Sequence, residues 1–207
     1  LRSRSLIVFA KAPVAGRVKT RLTPPLSAEQ AAHLHAAFVG DLLDRLARCD
    51  ADVTLATDIP TDAWSDCAVA RQLQASGDLG ARMYESLQSA LARGYNRAAV
   101  VGSDAPTVPL AHVDALFAGE ADVTLGPAED GGYWGIAVRR VAPGMFAGVR
   151  WSGPEALVDT EAAARAAGLS VVRGPLWFDV DLPEDLARLR QDELPPRTAR
   201  ILAGLLP

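Results

Sequence analysis

The chain has 207 residues, 49% of them hydrophobic and 22% charged, with a formal net charge of −4. This is enough apolar material for one packed domain and too much for a disordered chain, and the mild acidity excludes a general nucleic-acid binder. The charge is unevenly spread: Arg2, Arg4, Lys11, Arg17, Lys19 and Arg21 all precede the first acid, Glu29. A basic segment on an acidic body points to a local anionic ligand.

Along the chain, Leu6–Ala10 is a continuous apolar run, the pattern of a buried strand. A loop rich in Pro and Gly follows, from Lys11 to Leu26. Ser27-Ala28-Glu29-Gln30 reads as a capping box, opening a helix to about Arg48 with Leu34, Phe38, Leu42 and Leu46 at four-residue spacing. Val53–Thr57 is a second predicted strand, ending at Asp58, and residues 59–75 carry no clear pattern. Asp78 is the predicted cap of a helix whose apolar face is Leu79, Met83, Leu87 and Leu91. Ala98–Gly102 is a third predicted strand, ending in Ser103-Asp104, and a short helix is expected over 109–118. Asp122–Leu125 and Tyr133–Val138 are predicted strands around a turn-rich connection, residues 126–132. A helix near 154–167, a strand near 170–173, an extended piece at 177–181 and a helix from about 183 complete the chain.

Alternation of strand and helix with short connections predicts one α/β domain over 1–207 with a mostly parallel sheet. In such sheets ligands gather beyond the carboxyl ends of the strands, where Lys11, Asp58, Asp104 and the 126–132 turn all fall.

Several chemistries are absent. No G-x-x-x-x-G-K-S/T motif, no G-x-G-x-x-G motif and no G-x-S-x-G elbow occurs. His33 and His35 stand two apart on a predicted helix and point to different faces; with His112 they read as ordinary helix residues. Without a His base, a Ser or Cys hydrolase has no support. Asp179-Val180-Asp181 resembles a phosphatase D-x-D, but only 26 residues follow it, too few for that core. Cys49 and Cys67 have no metal-ligand spacing and form no disulfide framework, so a reducing cytoplasm is the expected location. No run approaches the length of a membrane span, and the start shows no signal-peptide pattern, though the chain opens on Leu1 rather than Met.

The remaining motifs suit phosphate and metal chemistry. Lys11, Arg17, Lys19 and Arg21 surround Gly16, as a di- or triphosphate site would require: converging cations and a backbone that admits close approach. Asp104, at the end of an apolar strand, is a hard oxygen ligand suited to Mg2+ or Mn2+. Asp179 and Asp181 share one face of an extended stretch and offer a second metal ligand, while Asp181 with Glu184 also reads as a helix cap. Gly131-Gly132-Tyr133-Trp134 pairs glycines with aromatics and offers a sugar or acceptor platform, with Glu129 or Asp130 as a base. Asp78 and Arg82 lie near the same edge.

Together these blocks are recognisable. Phe9-Ala10-Lys11-Ala12-Pro13-x-x-Gly16-x-x-Lys19-Thr20-Arg21-Leu22 resembles the opening of a bacterial family in the GT-A, or nucleotide-diphospho-sugar transferase, superfamily. That family is the radical-SAM/selenodomain-associated, arsenosugar-biosynthesis-type glycosyltransferases. Gly77-Asp78-Leu79-Gly80-x-Arg82-Met83, Gly102-Ser103-Asp104-x-Pro106, Gly126-Pro127-Ala128-x-Asp130-Gly131-Gly132-Tyr133-Trp134 and Phe178-Asp179-Val180-Asp181-x-Pro183-Glu184-Asp185-Leu186 are similar to its other blocks. The resemblance implies a GT-A-like domain, nucleotide phosphates on the basic loop, a metal on Asp104 and a further metal ligand at Asp181 or Asp179. The expected activity is metal-dependent glycosyl transfer from a nucleotide sugar to a small hydroxyl acceptor. The alternatives are nucleotidyl transfer from an NTP to a phosphorylated small molecule, and a non-catalytic nucleotide-binding subunit.

Overall fold

Leu6, Ile7, Val8, Phe9 and Ala10 are all buried. That is the consequence of placing their strand, β1 (Arg4–Ala10), in the interior of a sheet covered on both faces. The other strands are β2 (Asp52–Thr57), β3 (Ala70–Leu73), β4 (Arg97–Gly102), β5 (Val123–Pro127), β6 (Tyr133–Val138) and β7 (Val171–Arg173). The helices are α1 (Ala28–Leu46), α2 (Leu79–Ala92), α3 (Leu110–Ala118), α4 (Ala156–Ala166), α5 (Pro183–Leu189) and α6 (Pro196–Leu205). These elements come from a computed structural model that describes residues 3–191 and 193–205.

Among the described residues, seven strands form one sheet in the order β3-β2-β1-β4-β6-β5-β7. Every neighbouring pair is parallel except those made by β6, which runs antiparallel to both β4 and β5. The exception has a simple cause. The link from β5 to β6 is too short for a crossover helix, so the chain must fold straight back.

Alternate residues of β1 serve opposite layers. Leu6 and Val8 pack with α1 and α3 through Leu42, Leu46, Val113 and Phe117. Ile7 and Phe9 pack with α2 and α4 through Met83, Leu87, Leu157 and Ala164. A third cluster covers the far side of α1: Leu34 and Phe38 meet Leu22, Phe178, Val180, Leu189 and Leu202. The predicted face of α1 holds, since Leu34, Phe38, Leu42 and Leu46 are all fully buried. Each such burial is worth roughly 1.5–3 kcal/mol. The Ser27 cap is also as expected: Ser27 Oγ accepts from Gln30 N at 3.2 Å and Gln30 Oε1 accepts from Ser27 N at 2.8 Å.

Three local expectations need correction. The unassigned stretch 59–75 contains β3, an exposed edge strand with a single neighbour. The last helical region is two helices, α5 and α6, the second opening at Pro196. The cap of α5 falls on Leu182 rather than Asp181: Asp185 Oδ2 accepts from the backbone N–H groups of Asp181 (2.9 Å) and Leu182 (2.7 Å). That leaves the Asp181 side chain available for other contacts.

The parallel strands all end at one edge. Lys11, Asp58, Gln74 and Asp104 lie just beyond β1, β2, β3 and β4 there. Residues 177–181 run along it, tied on by Trp177 N to Pro127 O (3.0 Å) and Val180 N to Asp104 O (2.8 Å).

Candidate active site

The basic loop leaves β1 at Lys11 and folds on itself, with Val14 N bonded to Ala12 O (2.8 Å) and Arg17 N to Val14 O (3.0 Å). Gly16 takes φ +76°, a left-handed conformation that suits glycine, with open space where a side chain would stand. Lys19 is also left-handed, at φ 47°. Lys11, Arg17 and Arg21 are exposed, whereas the Lys19 side chain is only 3% exposed.

The Lys19 ammonium is the centre of the site. It contacts Asp104 Oδ1 directly, donates to Asp181 Oδ1 at 2.9 Å and to Val180 O at 2.7 Å, and lies 5.8 Å from the Phe38 ring centre. Burial opposes its charge, but the two carboxylates outweigh burial and hold its pKa above the ordinary lysine value. Burial likewise disfavours ionised Asp104, yet Lys19 wins and keeps that carboxyl below the usual range. At Asp179 the pull of Lys19 is outweighed. Burial first, then the neighbouring charges of Asp104 and Asp130, push it up to about 8.

Asp58 closes the other side of the loop. Its Oδ1 accepts from Ala12 N at 2.7 Å and its Oδ2 lies 3.5 Å from the Arg17 guanidinium. Beyond β3, Asp78 caps α2 as expected, accepting from Ala81 N at 2.8 Å. Arg82 donates to Gln74 Oε1 at 2.7 Å and to Asp78 O at 3.2 Å, and Gln74 Nε2 is in turn held by Ala56 O at 2.9 Å. Arg82 is therefore fixed by its neighbours rather than free on the surface.

The aromatic platform needs correction. Trp134 is 2% exposed, and its indole N–H donates to Pro175 O at 3.0 Å. It is a core side chain and presents no face to a sugar. The Tyr133 hydroxyl is bonded to Thr160 Oγ1 at 3.4 Å, and burial pushes its pKa up. Gly131 and Gly132 remain at the edge. Gly131 has φ +90° and sits so tightly on the Pro154 carbonyl that a Cβ would collide with it. Asp130 closes this turn by accepting from Gly132 N at 2.9 Å. Glu129 is unsuited to act as a base. Arg188 donates to both its oxygens, at 2.5 and 3.0 Å, and holds its pKa down.

Among the described residues, no group of three or more His, Cys, Asp or Glu side chains is arranged to hold a metal ion. Asp104 and Asp181 converge, with side chains 44% and 37% exposed, but they converge on Lys19. Such a pair fits Mg2+ or Mn2+ only with phosphate oxygens completing the shell, which is the usual habit of Mg2+. No helix among the described residues is long and apolar enough to cross a membrane.

Gln74 belongs to no sequence motif, His35 reads in sequence as an ordinary helix residue, and Lys19, expected on the basic loop as a phosphate-binding and catalytic cation, is instead enclosed by carboxylates. His35 is buried, with Nε2 2.9 Å from Lys11 O. One signal was available for Lys19: Lys11 and Lys19 are the only lysines in a chain that otherwise uses arginine for its cations.

Comparison with known proteins agrees with the fold. A solved structure from Desulfovibrio desulfuricans G20, provisionally described as a nucleotide-diphospho-sugar transferase, is 32% identical, with a TM-score of 0.85 over 99% of this chain and 95% of that one. A 2-phospho-L-lactate guanylyltransferase from Haloarcula marismortui is 29% identical over 189 residues, 86% of this chain and 82% of that protein. A cytidylyltransferase from Leptospira borgpetersenii shares the fold, with a TM-score of 0.61 at 12% identity over 99% of this chain and 94% of the other. Residues 30–153 match the family described as "uncharacterized protein conserved in bacteria" (DUF2064), and the chain belongs to that family.

Proposed function

We propose that the chain is a nucleotidyltransferase, moving a nucleotidyl group from a nucleoside triphosphate to a phosphorylated small molecule with release of pyrophosphate. The observation that carries this reading is the buried Lys19 ammonium, held between Asp104 and Asp181 at the mouth of the basic loop. The relationship to the guanylyltransferase supports a phosphorylated acceptor and makes GTP the first donor to try.

In this reaction an oxygen of the acceptor phosphate attacks the α-phosphorus of the triphosphate. The bond from that phosphorus to the oxygen bridging the β-phosphate breaks, and its electron pair leaves with pyrophosphate. Negative charge grows on the leaving group, and fixed cations aimed at it lower the barrier. Lys11, Arg17 and Arg21 neutralise the phosphates from the loop, Gly16 admits them to the backbone, and Lys19 supplies a charge whose position is already set. Asp78 and Arg82 flank the nucleotide beyond β3. The acceptor phosphate is itself an anion, so no general base is required, and Asp130 serves to shape the turn that carries Gly131 and Gly132. A divalent cation, when bound, is held by Asp104 and Asp181, with Asp179 beside them, and supplies further charge neutralisation to the triphosphate. A cytoplasmic setting follows from the same reading, since the donor is a cytoplasmic metabolite.

The test is pyrophosphate release from each of the four NTPs with Mg2+ and a panel of phosphorylated hydroxy acids, with Lys19→Met as control. Glycosyl transfer is the second reading, favoured by the likeness to the Desulfovibrio structure. It requires a hydroxyl acceptor near Gly131 and Asp130 as base. Transfer from a UDP- or GDP-sugar, with no pyrophosphate from any NTP, would establish it instead. The narrower arsenosugar-type grouping rests on the motif blocks alone and belongs with this second reading.

A further inference from the structure

We infer that His35 and Asp58 are positioning residues that clamp a single peptide group, Lys11–Ala12, and so set the shape in which the basic loop meets a polyphosphate. The polyphosphate part of this inference rests on the proposed function; the clamp does not.

The geometry is specific. Lys11 O accepts from His35 Nε2 at 2.9 Å, and Ala12 N donates to Asp58 Oδ1 at 2.7 Å. That carbonyl and that N–H are the two polar ends of one planar unit. The last residue of β1 in register with β2 is Ala10, opposite Thr57, so Lys11–Ala12 lies just past the strand pairing. Beyond that point a ladder no longer fixes the plane. Two side chains do so instead, one from the middle of α1 and one from the end of β2. With both ends held, the plane cannot rotate, and the direction in which the loop departs is set.

The chemistry of each partner is constrained. A carbonyl only accepts, so the hydrogen of the neutral His35 ring sits on Nε2 and Nδ1 is bare. Nδ1 is buried and has no hydrogen-bond partner among the described residues. The ring is 3% exposed and packs edge-on to Trp64 at 6.2 Å. It therefore has one polar task, holding the Lys11 carbonyl. Asp58 has two, because its Oδ2 also reaches Arg17 at 3.5 Å. The same carboxylate thus ties the start of the loop to the cation at its tip.

The test uses paired variants of the full chain. His35→Gln keeps a distal N–H donor and His35→Leu removes it; Asp58→Asn keeps an acceptor for Ala12 and Asp58→Leu removes it. The first readout needs no ligand: amide hydrogen exchange of peptides spanning residues 11–18. The expected result is at least tenfold faster exchange in His35→Leu and Asp58→Leu, near-native exchange in His35→Gln and Asp58→Asn, and no change over α2. Native exchange in both leucine variants overturns the clamp. If His35→Leu does not fold, the Asp58 pair carries the comparison. The second readout is calorimetric binding of GTP and CTP with Mg2+, where the leucine variants should bind about tenfold more weakly and His35→Gln should restore affinity. Equal affinity in wild type and both leucine variants overturns the link to the ligand. Absence of binding by wild type overturns the proposed function, and the exchange result then decides the clamp by itself.

Discussion

Lys19 Nζ and Asp181 Oδ1 lie 2.9 Å apart across 162 positions of sequence. The contact joins the loop after the first strand to the segment before α5, and Asp104 joins it from the middle of the chain. Replacing Lys19 with Met leaves these carboxylates and Asp179 facing one another without a cation. The expected cost is about 2–3 kcal/mol, below that of a fully enclosed pair because Asp104 and Asp181 are partly exposed. Urea unfolding measures it. Pyrophosphate release should fall roughly 100-fold or more, as when a preorganised donor is removed.

The scarcity of lysine gives a second measurement. Reductive methylation with a 13C label marks only Lys11 and Lys19 among the side chains. Exposed Lys11 should label at once and Lys19 slowly. The Lys19 methyl signal should keep its charged position beyond pH 10.5, because Asp104 and Asp181 raise its pKa above that value. A folded pKa above the unfolded one stabilises fully below pH 10.5, so this contribution is lost only as pH rises past it.

Asp122 provides an acid-side test remote from the site. Its Oδ2 accepts from Ser170 N and Ser170 Oγ, both at 2.9 Å, and Arg140 donates to both of its oxygens. The Arg140 bond foremost, then the Ser170 backbone, lower its pKa from 3.8 to about 2. A depressed folded pKa stabilises above the unfolded value and is lost as pH falls through the folded one. Asp122→Asn should therefore cost about 1 kcal/mol at pH 7, once solvent screening is allowed for. Thermal unfolding of variant and wild type should converge between pH 4 and 2, the window set by those two values.

Two glycines with positive φ separate conformational cost from collision. Gly16, at φ +76°, faces open space, and Gly131, at φ +90°, faces the Pro154 carbonyl. Gly16→Ala should cost about 1 kcal/mol, the penalty of left-handed backbone alone. Gly131→Ala should cost clearly more and shift the turn before β6, which denaturation curves and exchange rates across 128–134 would register.

Trp134→Phe separates a core role from a substrate role. The variant loses the bond to Pro175 O and some packing, so stability should drop by about 1–3 kcal/mol. Nucleotide and acceptor KM values should stay within twofold of wild type. A selective rise in acceptor KM at unchanged stability would return Trp134 to the binding surface.

Much of the architecture was legible because local chemistry and tertiary role coincide. Ser27 with Gln30, Asp78 at α2 and the buried runs of β1 and β4 all appear where their residues predict them. Asp104 was legible as the carboxylate at the end of a buried strand. β3 was not, since Ala-Arg-Gln-Leu at an exposed edge has no apolar alternation to detect. The start of α5 offers two frames one residue apart, Asp181 with Glu184 and Leu182 with Asp185, and only the fold chooses the second. Trp134 looked like a platform because a glycine-rich turn precedes it. Its position on an interior strand decides otherwise. His35 reads as an ordinary helix residue because its partner is a backbone carbonyl, which has no signature in sequence.

The closure of residues 11–21 onto 177–181 also constrains the order of events during synthesis. The basic loop is made well before residue 181, and its strand can pair with β2 and β4 in that interval. Until then the Lys19 ammonium has Asp104 alone, and the third cluster of the core lacks Phe178 and Val180. Contacts of such sequence separation form late. A nascent chain therefore carries a nearly complete sheet while the carboxylate cradle around Lys19 is still open, and that cradle closes only once the segment before α5 has been made.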